Sequence, residues 1–145
     1  MKLRTHEPWM PAEEYGHSLH GLTINLIARN MDRMLEFQNK VLGVKIIYCD
    51  ADFAIFRGYG SEWMAHADHT YDNHPLQTAT QLDHPRGGIA ELRLHGCNPD
   101  RAEKQARLLE FLVVQPTTDK SHGLRECYLR DDEGYLWVPD QPLSK

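Results

Sequence analysis

Residues 22–28, LTINLIA, alternate in polarity. Leu22, Ile24, Leu26 and Ala28 fall on one face, and Thr23, Asn25 and Ile27 on the other. A period of two predicts a strand with one strongly apolar face. Asn30 then offers a helix N-cap, and MDRMLEFQNKVLG sets Met31, Met34, Leu35 and Leu42 on an apolar helical stripe that Gly43 can end in a left-handed cap. VKIIYCD, DFAIFRG and SEWMAHA follow, separated by Asp/Ala and Gly-Tyr-Gly turn signals, and read as strands in hairpin order. This first stretch is β-α-β-β-β.

The pattern then repeats. GIAELRLHG predicts a strand, CNPDRAEKQARLLE a helix, and LVVQ, LRECYLR and GYLWVP three more strands. Asn98 followed by Pro99 is a helix start, a capping side chain before a proline whose missing N–H costs nothing there. Gly21…Met31-Asp32-Arg33 matches Gly88…Pro99-Asp100-Arg101 with one extra residue in the second copy. An internal duplication of this kind predicts two copies of one supersecondary unit packed together. The expected organisation is an N-terminal surface arm (1–20) and one domain (21–142). The domain divides into modules of about 21–67 and 88–142, joined by a polar linker, 68–87. A linker that long in a compact domain is usually functional or mobile.

The totals narrow the function classes. At 145 residues the chain fits one domain that folds without disulfide or metal. A net charge of -5, with no Lys/Arg cluster, argues against nucleic acid. Cys49, Cys97 and Cys127 are widely spaced and form no Cys-x-x-Cys, so they read as reduced thiols of a cytoplasmic protein. The first twenty residues contain no apolar run long enough for a signal peptide or membrane span. No nucleophile elbow, phosphate-binding glycine loop or dinucleotide fingerprint is present.

Two segments carry a family resemblance. ARNMDRMLEFQNKVLGVKI resembles the first helix of the glyoxalase/bleomycin resistance/extradiol dioxygenase (vicinal oxygen chelate) superfamily, with Leu42-Gly43 intact and Gln38 at the usual Tyr place. HGLRECYLRDDEGYLWVPDQP resembles the closing hairpin, with Asp132 for the usual Pro and Tyr135 for the usual Asn. The resemblance implies an α+β fold: two βαβββ modules forming a curled mixed sheet around a cavity, helices outside. It also implies a homodimer, often with sites shared between chains.

The period-two argument then assigns faces. The apolar face of each first strand must lie under the helix, so the opposite face lines the cavity. That turns Thr23 and Asn25 inward, with Ile89, Glu91 and Arg93 in the second module. In SEWMAHA it buries Trp63 and Ala65 and turns Glu62, Met64 and His66 inward. Metal-dependent members of the family hold their ion with His, Gln or Glu on the first and last strands of each half. Those positions fall here on Thr23, Met64, Ile89 and Val138, none of them such a ligand. The leading expectation is therefore metal-independent binding of a polar or aromatic small molecule in a groove lined by Asn25, Met64, His66, Glu91 and Arg93, with no cofactor.

The alternative is a lyase, isomerase or dioxygenase-like enzyme. It would use either a divalent ion displaced to His66 and Glu91 or Glu91 as general base with Arg93 stabilising an oxyanion. A third reading is a protein-interaction domain with a filled cavity and an exposed apolar patch. The plainer reading of Glu91 and Arg93 is a mutual ion pair in a wet groove. The plainer reading of Trp63, Phe56, Trp137 and Tyr135 is core beneath helices. His122 precedes the closing hairpin where an aromatic often sits beside the ligand, and LRECYLR does not declare which face Glu126 takes.

Overall fold

The computed structural model describes residues 1–144, and it contains the duplicated unit. Eight strands form two four-stranded mixed sheets. The first half runs β1 (Asn25–Ala28), α2 (Met31–Glu36), β2 (Lys45–Cys49), β3 (Phe53–Gly58) and β4 (Ser61–Ala67), following α1 (Ala12–Ser18) in the arm. The linker holds a single-turn 3-10 helix (Asp68–Tyr71) and the short α3 (Gln77–Thr80). The second half runs β5 (Glu91–His95), α4 (Pro99–Leu108), β6 (Leu112–Asp119), β7 (Leu124–Arg130) and β8 (Leu136–Pro142). The sheet orders are β1-β4-β3-β2 and β5-β8-β7-β6, the first strand of each pairing in parallel with the last.

The caps form as the residue types dictate. Asn30 accepts the Arg33 N–H through its side chain, and Asn98 accepts that of Arg101. Gly43 ends the first helix at φ 73°, where a Cβ would also stand 2.7 Å from the Arg101 guanidinium. Between Phe37 and Val41 the helix widens into a π-turn, which the apolar stripe alone does not predict.

Alternation along the strands builds one shared core. Leu26, Ala28, Phe56, Trp63 and Ala65 from the first half join Leu94, Cys127, Leu129 and Trp137 from the second in one buried cluster. Phe37 closes the joint, edge-on to Phe111 at 5.0 Å and 6.3 Å from Trp137. Each sheet therefore has a helix-covered face and an open face.

Several expectations need correction. The first strand starts at Asn25, and Leu22 is 89% exposed instead of lying under the helix. The chain arrives from the arm through Gly21 in a left-handed conformation and joins β4 only at the Asn25–Met64 register. Likewise β5 starts at Glu91, and Ile89, expected to face the cavity, is 98% exposed. Gly87 and Gly88 both hold positive φ there, and a Cβ on Gly87 would meet Tyr135 at 2.8 Å. The sixth strand extends to Asp119, beyond the LVVQ run.

The linker is ordered by one buried cation. Arg86 donates to both oxygens of Asp68 (2.6 and 2.8 Å) and to the carbonyls of Ile27 and Thr80. Tyr135 is half-buried at the joint; its hydroxyl accepts the Ile27 N–H and donates to the Ile27 carbonyl. Glu133, also buried, accepts the N–H groups of Arg29 and Asn30.

Candidate binding cavity

The arm does not stand off in solvent. It crosses the open face of the first sheet, with Trp9 stacked on Tyr48 at 4.9 Å and 23° between planes. Tyr15 donates to Glu62 at 3.0 Å, and the Leu3 and Arg4 N–H groups reach the buried Asp52 carboxylate at 2.7 and 3.3 Å. Asp52 also shares a 2.8 Å hydrogen bond with His69. Burial pushes the Asp52 carboxyl up, but the bonds from His69, Leu3 and Arg4 outweigh it and hold the group below its ordinary value.

Between arm and sheet lies a cavity of about 550 Å³. Trp9, Met10, Tyr15, Phe53, Met64 and His66 form its apolar and aromatic wall, and Arg4, Asp52 and Asp72 add charge. Volume and lining suit a small organic molecule held by packing and oriented by a few polar groups. Thr23 lines a separate hollow of about 690 Å³ with His20, Arg57 and Glu62.

Within the first half the sequence-predicted residues meet. Asn25 donates through Nδ2 to the Tyr71 hydroxyl (2.8 Å), which leaves Oδ1 to accept from His66 Nδ1 at 2.6 Å. His66 is thereby fixed with its proton on Nδ1. Burial lowers its pKa, against the opposing charges of Asp50 and Asp52, so the ring is a neutral imidazole. Phe53 stacks on it at 5.6 Å and 17°. Its Nε2 makes no hydrogen bond to the described residues and is available to accept one from a ligand.

Glu91 and Arg93 meet each other in the second half and do not touch the first group. Arg93 stands on the open face of that sheet, 3.7 Å from Glu91 and 3.5 Å from Asp140, but its shortest ion pair is with Glu126. Glu126 and Asp140 are each 1% exposed. His95 contacts Asp140 at 2.9 Å, and His122 lies 3.5 Å from Glu126. The face that LRECYLR left undeclared is thus settled: Glu126 joins Arg93, while Arg125 points the other way to Asp100 and Asp119. Removing one partner of a buried pair strands the other charge. Arg93→Ala should therefore lower stability by about 2 kcal/mol near neutral pH. Urea unfolding measures the deficit; a loss within about 0.5 kcal/mol of zero, as for an ordinary surface substitution, would contradict this role.

The positions that hold metal in the family do not form a ligand set. Ile89 is exposed, Val138 is fully buried, and Met64 lines an apolar wall. Among the described residues, no three His, Cys, Asp or Glu side chains are grouped to hold an ion. Cys97 and Cys127 are buried, and burial raises both thiols, Cys127 to about 12. Among the described residues, no helix is long and apolar enough to cross a membrane.

Sequence reasoning missed Trp9, Tyr15 and Phe53. Trp9 and Met10, flanked by prolines in an otherwise polar segment, were the available signal that the arm docks.

No family model and no curated protein matches the sequence. Solved structures do match. A glyoxalase/bleomycin resistance protein/dioxygenase family enzyme from Burkholderia phytofirmans PsJN superposes with a TM-score of 0.66 at 15% identity, over 83% of this chain and 97% of that one. The chain has the vicinal-oxygen-chelate fold. TioX from Micromonospora sp. ML1 shares this fold at 21% identity and a TM-score of 0.61, over 86% of this chain and 99% of its own. The fosfomycin resistance protein FosX from Mesorhizobium loti shares it at 12% and 0.60, over 87% and 93%. On this vicinal-oxygen-chelate fold the present chain carries a docked N-terminal arm.

Proposed function

We propose that this protein binds a small molecule without a metal ion, in the cavity between the arm and the first sheet. The observation that carries the reading is the 550 Å³ apolar and aromatic cavity with a neutral, oriented His66 in its wall. The ligand class it suits is a compact aromatic with a hydrogen-bond donor: the ring packs on Phe53 and Met64, and the donor meets His66 Nε2. Asn25 acts by holding His66. Glu91 and Arg93 form a second polar patch on the open face of the other half, available to the polar end of a longer ligand. A cytoplasmic homodimer is part of this proposal, and a solution mass of one 16.8 kDa chain would remove the dimer from it.

The test uses N-phenyl-1-naphthylamine, an uncharged aromatic amine whose fluorescence rises in apolar surroundings. It should bind with a stoichiometry of one per chain. Met64→Trp, which fills the cavity from a half-exposed position, should weaken it by about tenfold or more, roughly 1.4 kcal/mol, without lowering the melting temperature. Equal affinity in wild type and Met64→Trp would show that the probe sits elsewhere, and absence of binding would count against the reading. Glu91→Gln, which leaves the cavity wall intact, should leave this probe's affinity unchanged, because the probe has no distant polar end.

A further inference from the structure

Resting on that binding reading, we propose that residues 1–20 are a movable strap that closes over the bound ligand and sets how long it stays. Most of the residues lining the cavity belong to this segment, including Pro8, Trp9, Met10, Tyr15 and Leu19, so a ligand in it is covered by the arm. A molecule of matching size lies against Trp9 and Tyr15 on one side and Phe53 and Met64 on the other.

The arm is built to lift. None of its twenty side chains is fully buried, and α1 buries no residue at all. What holds it are a few separable contacts: the Trp9–Tyr48 stack with His6 beside Tyr48, the Tyr15–Glu62 hydrogen bond, the two N–H groups on Asp52, and the Met1 ammonium on the His69 carbonyl and Asp72. A segment ordered by so few contacts opens at far lower free energy than the core. The opposite wall is of another kind. Phe56, Trp63 and Ala65 root β3 and β4 in the shared core at 0 to 4% exposure. One wall is fixed and one is hinged, and Gly21, at φ 68° with open space around it, lies where the arm joins the domain.

Asp52 is the latch. It sits at the start of β3, one residue from Phe53 in the cavity wall, and is itself buried. Its carboxylate accepts the strap's Leu3 and Arg4 N–H groups and bonds His69 in the turn after β4. The strap is thereby tied to the strands that carry Phe53 and His66. A ligand that packs against Trp9 and Phe53 together adds contacts present only in the closed state, so binding must shift the strap toward closure.

Hydrogen exchange read by mass spectrometry on the full chain tests the motion directly. Amides of the segment containing Leu3 and Arg4 should exchange about a hundredfold or more faster than those of β3 and β4. Saturating N-phenyl-1-naphthylamine should slow the strap's exchange by about tenfold while leaving the sheets unchanged. Two full-length variants, Asp52→Asn and Trp9→Ala, should each release the probe at least about fivefold faster in stopped-flow displacement. Strap amides as protected as the sheets would make the arm a fixed wall and overturn the proposal. If the probe binds but neither strap exchange nor release rate responds, the strap fails and the binding reading stands. If the strap opens but the probe does not bind, the binding reading fails and the strap's role falls with it.

Discussion

Replacing Phe37 with alanine should destabilise the protein by about 4 kcal/mol, since large-to-small changes at a closed core site lose both transfer free energy and packing. Phe37 is fully buried, and its ring meets Phe111 edge-on and Trp137 at an angle. It therefore touches the helix of one half and the sheet and helix end of the other. Relaxation around the void is limited because the flanking Val41 and Met34 are themselves packed in the cluster. For a chain of this length the melting temperature should fall by roughly 12 °C. Urea unfolding should remain a single transition in both proteins. Two separated transitions, or a loss under about 1 kcal/mol, would mean that the halves do not share one core.

Asp131→Ala should come second, at about 3 kcal/mol in mild acid. The Asp131 carboxyl is buried at the turn between β7 and β8. One oxygen accepts the N–H groups of Glu133, Gly134 and Tyr135 at 3.0 Å, and the other accepts the Trp137 indole N–H at 3.1 Å. Removing it leaves three of these donors without partners, because the Gly134 N–H also reaches the Asp131 backbone carbonyl at 3.0 Å. Burial pushes its pKa up to about 6 in spite of those donors, with the Glu133 charge adding to the rise, against 3.8 for an ordinary aspartate. The sign follows. Between 3.8 and about 6 the folded state holds more protons than the unfolded chain, so stability falls as pH rises through that window. The part lost is roughly 3 kcal/mol. Wild type should therefore lose stability between about pH 4 and pH 7 in a way that Asp131→Ala does not. The gap between the two proteins should narrow with pH. A gap that widens would show that the ionised carboxylate is the form the turn prefers.

The α+β fold and its duplication were legible because they rest on local signals that the structure does not override. Asn30 and Asn98 are caps wherever they stand, and the alternation in SEWMAHA fixes Trp63 and Ala65 to one face and Met64 and His66 to the other. Strand starts were less legible. Leu22 and Ile89 continue the apolar alternation by composition, yet backbone glycines before each strand decide where pairing begins, and pairing is a non-local event. The candidate site was half legible. Period two turns Asn25, Met64 and His66 to one face, and their joining follows from the parallel β1–β4 register. What period two cannot express is what lies across from a face. It does not say that the arm covers the first sheet, nor that Arg93 answers Glu126 thirty-three positions away.

The joint between the halves also bears on how copies of this chain behave when crowded. β1 lies at the end of its sheet, and its outward backbone groups at Ile27 and Arg29 would otherwise form a ready ladder for a foreign strand. The Tyr135 hydroxyl, the Arg86 guanidinium and the Glu133 carboxylate take those groups instead. All three belong to the linker and the turn before β8. The duplicated half thus shields its twin against edge-to-edge polymerisation, a safeguard that an isolated first half would lack.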